Sequence, residues 1–354
     1  MDSPMPKKIT YYVQRYRPAY EAISKEVALL AEHFSKDHTT KIFNLHLDGL
    51  TSFSLHQNFF SHHFSFYPLT FPYAYALSKK SDINHIYTSL GDLPYLGVLN
   101  LQKTILTAAA SCNFTKVKKK QKYLHQLLRI IVESEKQKRD LLALGLPEQK
   151  IEIIYPPVDL TKFSYLPVTN HNSSFTILYA SCPTREQDFE KRGINLLVNT
   201  AEQEKNIKFQ LLWRLGAYEK IKEIKEQRNI SNLHLTNTIV NDINQTYAKA
   251  HCTIIPYTAF DDYLKLIPNS AIESLASGKP VLVSSKTEIA AIVNREKCGV
   301  VFEPTVVDLS RAIQELRKNY AQYQKNCRKT AEKYFSQEIF LKRYQGVYAE
   351  IEEK

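Results

Sequence analysis

The sequence predicts an α/β protein built from two doubly wound domains, and three observations lead there. Its 354 residues, 44% of them hydrophobic, are enough for two cores of ordinary size and exclude a disordered chain. The opening alternates a short apolar strand, an amphipathic helix and a second strand, the βαβ order of a parallel sheet. Residues 265–285, KLIPNSAIESLASGKPVLVSS, repeat that logic: an irregular entry, a short helical pattern, a stop at Gly278 and Pro280, then the apolar run VLV.

In chain order, ITYYV at residues 9–13 reads as the first strand. Pro18 opens a helix through Ile23, Val27, Leu30 and Phe34, and KIFNL from Lys41 is the next strand. The turn between strand and helix, QRYRPAYEAI, holds no glycine; Arg15 and Arg17 either supply its charge or are surface arginines. Residues 50–80 are rich in Phe, Tyr and His, suiting an aromatic surface or a core with loops. His56, His62 and His63 match no compact metal-ligand spacing and have no carboxylates or cysteines among them, so no metal is expected. INHIYTSL from Ile83 and KTILTAAAS from Lys103 are further strands.

The segment TKVKKKQKYLHQLLRII sets Lys116, Lys118, Lys119, Lys120 and Lys122 beside Tyr123, Leu124, Leu127 and Leu128. That pattern suits either a solvated stretch before a core helix or an anionic membrane surface, where each nearby cation contributes about 1 kcal/mol. IIVESEKQKRDLLALGLPEQKIEIIYPPVDLTKF then reads as strand, helix, glycine stop at Gly145, strand and a break at Pro156 and Pro157. FTILYAS is a buried strand entering the basic loop CPTREQDFEKRG, and KFQLLWRL is another strand, ending in Arg214. The final section, AEKYFSQEIFLKRYQGVYAEI, is helical, with Phe335, Ile339, Phe340, Tyr344 and Tyr348 as an apolar stripe.

The net charge of +11 points to polyanionic partners: nucleotide diphosphates, anionic lipid or nucleic acid. Residues 1–158 carry 20 Lys and Arg against 13 Asp and Glu, so +7 of the excess lies in the first half. Nucleic-acid binding rests on charge only, with no recognition-helix or stacking motif, and is not expected. Five widely spaced cysteines without a C-x-x-C pair fit a reducing cytoplasm. MDSPMPKKITYYV lacks a signal-peptide core, and no run approaches the roughly 18 apolar residues of a membrane span. The expected location is cytoplasmic, with peripheral attachment to the inner face of the membrane as an option.

Residues 265–285 carry the chemistry. Asn269 or Ser270 is expected to cap the helix, and Pro268 has the fixed φ of a helix entry. Such a start aims backbone N–H groups and the positive end of the helix dipole outward, a ready phosphate site. Glu273 lies about one turn inside, placed to accept from sugar hydroxyls next to that phosphate. On the other side, Arg185, Lys191 and Arg192 lie in a basic loop closing at Gly193, a βα turn suited to phosphate, where a guanidinium binds bidentately.

The run IESLASGKPVLVSS with its capped entry and Glu288 resembles the donor-binding motif of retaining family-4 glycosyltransferases, group 1, with the GT-B fold. The run SE…GLPEQKIEIIYPPVDLTKF resembles the segment that closes the first domain of that family. The resemblance implies two Rossmann-like doubly wound domains facing a central cleft: residues 1–158 on the acceptor side, residues 159–335 binding the nucleotide sugar, and a final helix at about 336–354 packing back on the first. Asp159 and Phe163 are expected to fix the hinge between them. It implies transfer of a hexose-type sugar from a UDP- or GDP-sugar to a hydroxyl acceptor, a glycan or lipid-linked glycan, with retention and no cofactor.

By the same resemblance Arg185 and Arg192 clamp the diphosphate, with Lys191 as a nearby alternate, and Glu273 meets the ribose. Asn269, Ser270, Arg214 and Lys265 belong to the donor site, and Ile239, Val240 and Asn241 lie along the nucleobase. The chain departs from the pattern at three places: Lys265 stands where the family has its first acid, Ala109 where it has a histidine, and the first turn lacks glycines. Asp261 and Asp262, a few residues before it, are either a spatial substitute for that acid or solvated loop aspartates. A GT-B protein that binds nucleotide or glycan without catalysis is the second reading.

Overall fold

The computed structural model describes residues 6–14, 16, 18, 21–44, 59–63, 67–89, 94–110, 114–164, 175–180, 182–213, 216–238, 240, 242–259 and 264–352. In chain order the first half comprises β1 (Lys8–Val13), α1 (Ala22–Phe34), β2 (Thr39–Asn44), β3 (Phe59–His63), α2 (Tyr67–Lys80), β4 (Ile83–Ser89), β5 (Thr104–Ala110), α3 (Phe114–Leu124), β6 (Arg129–Val132), α4 (Glu135–Ala143) and β7 (Ile151–Ile153). The second half comprises β8 (Phe175–Tyr179), α5 (Ile194–Gln203), β9 (Ile207–Trp213), α6 (Tyr218–Gln227), β10 (Leu233–Asn237), α7 (Ile243–Lys249), β11 (Cys252–Ile255), α8 (Asn269–Ala276), β12 (Val281–Ser284), α9 (Ile289–Glu296), β13 (Gly299–Phe302), α10 (Val306–Lys318), α11 (Tyr320–Tyr334) and α12 (Gln337–Glu352).

The chain divides into two compact units: residues 1–156 with 261–265 and 341–354, and residues 157–260 with 266–340. Unit 1 holds a seven-stranded sheet in the order β3-β2-β1-β4-β5-β6-β7, and unit 2 a six-stranded sheet in the order β10-β9-β8-β11-β12-β13. Every strand pair is parallel. In both sheets the chain lays three strands outward in one direction, then returns to the first and continues the other way. That reversal is a topological switch point, and in open α/β sheets ligands bind outside the carboxyl ends of the strands there.

Helices cover both faces of such sheets, so the central strands are buried throughout instead of alternating. All seven residues of β5 are buried, and so are all four of β11 and of β12. The unit 2 core gathers Trp213, Phe209, Leu197, Leu282 and Leu316 around the sheet. In unit 1, Tyr12, Phe43, Tyr95, Leu106 and Ile130 do the same.

The glycine stop in residues 265–285 forms as the sequence predicts. Gly278 has φ +70°. Its N–H donates to Leu275 O at 3.0 Å and that of Lys279 to Ser274 O at 2.9 Å, the paired bonds of a Schellman ending.

Three expectations are corrected. The first helix begins at Ala22, not Pro18, with Glu21 ahead of it in extended conformation. The C-terminal helical section is two helices, α11 and α12, broken around Phe335, whose carbonyl accepts from Val158 N–H at 2.6 Å. Ile339 is exposed, so the apolar stripe runs through Phe335, Phe340, Tyr344 and Tyr348 instead.

Unit 1 also contains a buried polar network. His85 in β4 bonds Tyr348 Oη through Nδ1 at 2.7 Å and Thr107 Oγ1 through Nε2 at 2.7 Å. Thr107 Oγ1 meets Tyr344 Oη at 2.9 Å, and Tyr348 Oη donates to Tyr11 Oη at 3.3 Å. Burial lowers the His85 pKa to about 3, so the imidazole is neutral. Close by, Tyr87 Oη donates to Glu26 Oε2 at 2.6 Å. Lys265 Nζ donates to Glu26 Oε1 at 2.5 Å and to Glu133 Oε1 at 3.0 Å.

Two buried carboxyls share one ammonium here, and the surplus charge is relieved at Glu133. Burial pushes its pKa well above the carboxylate range and Glu26 adds to the rise, with Lys265 opposing. Burial alone would lower the Lys265 pKa, but the two carboxyls more than offset it and hold the ammonium charged.

A raised folded-state pKa means that the folded chain holds a proton the unfolded chain has released. The stability this contributes is complete below the ordinary carboxylate pKa and is lost as pH rises through the raised value. Glu133→Gln, neutral at every pH, is therefore expected to be at least as stable as the parent at neutral pH. Its melting temperature should also fall less between about pH 5 and pH 9. Thermal melts across that range check it, and an unchanged slope counts against it.

Candidate functional site

The site is assembled at the carboxyl ends of the unit 2 strands. The switch point of that sheet lies between β8 and β11, which are hydrogen-bonded neighbours. The loops that leave these two strands are stitched together. Gly193, at the start of α5, has φ +73°, and a Cβ there would lie 1.9 Å from Pro256 O, so only glycine permits this approach. Thr258 N–H donates to Lys191 O at 3.1 Å, and Thr258 Oγ1 donates to Glu190 O at 2.7 Å.

This stitching presents Arg192. Its Nη1 donates to Tyr257 Oη at 2.8 Å, its guanidinium carbon lies 5.3 Å from the centroid of the same ring, and its carbonyl accepts from Tyr179 Oη at 3.2 Å. A planar cation held over an aromatic ring and fixed by one hydrogen bond keeps its other N–H donors in a defined fork, the geometry that suits phosphate oxygens. Arg185 is placed differently. Its side chain is 65% exposed and pairs with Asp188 in its own turn, Nε to Oδ2 at 2.9 Å and Nη2 to Oδ1 at 3.2 Å. Lys191 is exposed and Val240 half-buried. Arg214, Ile239, Asn241, Arg15, Arg17, His56, Asp261 and Asp262 lie outside the described residues. His62 and His63 are placed as the last residues of β3.

The second half of the site is the N-terminus of α8. Here the expected cap is corrected: the N-cap is Pro268, in extended conformation at φ −66°, and no side chain caps the helix. A proline carries no N–H, so the first donors of the helix belong to Asn269 and Ser270. Asn269 Oδ1 and Ser270 Oγ are themselves buried without a hydrogen-bond partner. Buried polar groups are nearly always paired, and two orphans together at an uncapped helix start mark a place prepared for a polar ligand.

Glu273 is one turn further along, on the face shared with Asn269 and Ser270. Its Oε2 accepts from Tyr247 Oη at 2.8 Å; that hydroxyl also lies 3.3 Å from Ser270 O. Tyr247, fully buried in α7, therefore orients the carboxylate and braces the first turn.

Tyr247 and Tyr257, which bond Glu273 and Arg192, are the candidate-site residues that sequence reasoning misses. Tyrosines are abundant in this chain, and nothing in their spacing separates these two from core residues. The usable signal is the need of a buried phenol for a hydrogen-bond partner.

Lys265 is placed in unit 1, its ammonium committed to Glu26 and Glu133 and its side chain 13% exposed. Both partners of that ammonium lie in the same unit. Ala109 is buried within β5. Among the described residues no group of three or more His, Cys, Asp or Glu is arranged to hold a metal ion.

Residues 177–319, which fall in unit 2 apart from 261–265, match the family model described as glycosyl transferases group 1. The sequence matches no curated protein. Among solved structures, sucrose-phosphate synthase from Thermosynechococcus elongatus superposes with a TM-score of 0.76 at 16% identity, covering 98% of this chain and 99% of that one. HepE of Anabaena in complex with UDP-glucose gives 0.76 at 13% identity, covering 97% and 100%. A glycosyltransferase from Rickettsia africae gives 0.73 at 16% identity, covering 98% of both chains. Identities this low establish the fold and nothing finer. The chain thus has the GT-B fold, two Rossmann-like domains, and its second domain carries a glycosyl transferases group 1 region.

Proposed function

We propose that the protein is a glycosyltransferase that moves a hexose-type sugar from a UDP- or GDP-sugar to a hydroxyl acceptor, a glycan or lipid-linked glycan, with retention at the anomeric carbon. The observation that carries this reading is the pairing of a fixed guanidinium, Arg192, with an uncapped helix start whose Asn269 Oδ1 and Ser270 Oγ are buried without partners. The binding of UDP and UDP-glucose by HepE, which shares the fold, supports a nucleotide-sugar donor here.

Breaking the glycosidic bond leaves a diphosphate that gains negative charge. Arg192 and the α8 N–H groups are preorganised positive charge and dipoles that match it as it develops, and they do so without a metal. Glu273, held by Tyr247, takes the ribose hydroxyls. No side chain in the described site is assigned as a general base; in a front-face displacement the departing phosphate oxygen takes the acceptor proton. Arg185 meets Asp188 through Nε and Nη2, which leaves the Nη1 donors to add to the clamp.

For the acceptor side, the lysine face of α3 supports a peripheral contact with anionic lipid. Lys116, Lys118, Lys119 and Lys122 are exposed, while Val117, Leu124 and Leu127 are buried in the unit 1 core. The apolar half of that helix is thus used for folding, and the attraction to lipid is electrostatic. No helix among the described residues is long and apolar enough to cross a membrane.

A second reading, a GT-B protein that binds donor without turnover, is favoured by one observation: Lys265 and Ala109 leave no carboxylate or histidine at two places where the sequence motif leads one to expect them. Nucleotide release from UDP- and GDP-sugars separates the two readings. Arg192→Ala and Glu273→Ala are each expected to lower donor turnover by about 10²- to 10³-fold. Tyr257→Phe, which keeps the ring and loses the hydroxyl, should lower it about tenfold. Steady-state kinetics with each variant check this, and full activity in both alanine variants removes the model. Binding of UDP or GDP without any release leaves the second reading standing.

A further inference from the structure

We propose that unit 1 carries a sugar-binding groove at the amino ends of β5, β6 and β7, where Gln102, Gln126 and Gln149 hold part of a glycan at the end of the sheet opposite the carboxyl ends of its strands. The proposal rests on the reading of the acceptor as a glycan, and it concerns unit 1 alone. The groove has a volume of about 550 Å³, within the size range of small-ligand sites. Three turns wall it: the one before β5, the one between α3 and β6, and the one before β7.

These walls are tied to one another, so the groove is preformed. Lys150 Nζ donates to His125 O at 2.8 Å and to Leu127 O at 2.9 Å, which closes the turn before β7 on the turn after α3. Arg129 Nη1 donates to Gln149 O at 2.8 Å, and Leu128 N–H donates to Thr104 O at 2.9 Å, which joins the same turn to the start of β5. Arg129 also pairs with Glu350 of α12. Both cations of the groove are therefore committed to carbonyls and a carboxylate, and two of those carbonyls lie just past the C-terminal end of α3, where the helix dipole is negative. That is a poor setting for phosphate.

What remains for a ligand is neutral. Gln102, Gln126 and Gln149 are exposed, and a carboxamide both donates and accepts, as a hydroxyl does. Gln126 Nε2 donates to Lys122 O at 3.0 Å, which fixes that amide and leaves its Oε1 to accept. Leu127, Leu128 and Pro147 supply apolar surface beside the amides. A pyranose matches this combination, with hydroxyls at its rim and C–H groups on its faces. An extended peptide does not: it binds by adding to unpaired backbone groups, and here the carbonyls of His125, Leu127 and Gln149 and the N–H of Leu128 are already taken.

The test sets the full chain against a printed array of defined oligosaccharides, with random decapeptides on the same slides, and carries the best-retained oligosaccharide into calorimetry. The parent is compared with the combination Gln102→Ala, Gln126→Ala and Gln149→Ala, which leaves the ties of Lys150 and Arg129 in place because they run to main-chain carbonyls and to Glu350. Its melting temperature is expected to stay close to the parent's, as for other surface substitutions. Kd for the oligosaccharide should rise about tenfold in the triple variant, and about threefold in Gln102→Ala alone, which touches none of the bonds above.

An unchanged Kd in both variants overturns the proposal. So does a parent that retains no oligosaccharide, or one that retains peptides through the same three residues instead. Binding of UDP and of GDP, followed separately by thermal shift, reports on the donor reading. Nucleotide binding with no oligosaccharide retained removes the groove and leaves that reading standing, and retention that depends on the three glutamines without nucleotide binding does the reverse.

Discussion

The candidate site in unit 2 depends on one steric constraint, the contact of Gly193 with the Pro256 carbonyl. β8 and β11 are neighbours at a place where the order of the sheet reverses, and the loops leaving them would otherwise be free to diverge. Because residue 193 has no side chain, the two loops close on one another. The placement of the basic loop follows from that closure. The carbonyls of Glu190 and Lys191 meet Thr258, and Arg192 comes to rest against Tyr257. The arginine is held in place because its neighbour is small.

A second principle, incomplete satisfaction, runs through the α8 start. Most of the described polar groups in the interior are paired, down to a lysine shared by two carboxyls. Asn269 and Ser270 break that rule side by side, at a helix end whose cap is a proline without a donor or a side-chain acceptor. A fold that satisfies Lys265 so fully and leaves these two atoms bare is consistent with a site kept open for a polar guest.

Much of the architecture was legible in the sequence because it depends on local signals. Fully apolar runs such as TILTAAA and VLV mark strands buried on both faces, and Gly278 with Pro280 marks a helix end that the structure reproduces bond by bond. The site was legible only in part. Arg192, Glu273, Asn269 and Ser270 could be named from a short motif, but what aligns them could not. Tyr257 lies 65 positions from Arg192 and Tyr247 lies 26 from Glu273, and no pattern of residues announces such a pairing. The partners of Lys265 were hidden for the same reason: they are 239 and 132 positions away, and the motif in which it sits says nothing of them. Arg185, equally basic in the sequence, is spent on Asp188 three residues on.

The buried row of hydroxyls in unit 1 has a direction as well as a composition. Tyr348 donates to Tyr11, so it must accept from His85 Nδ1. A neutral imidazole carries one proton, so Nε2 accepts from Thr107, which in turn accepts from Tyr344. A slide of α12 by one turn would carry Tyr344 to the place of Tyr348 and bring Phe340, which has no hydroxyl, against Thr107, leaving that buried group short of a partner. The register of the last helix is therefore fixed by polar partners as well as by volume.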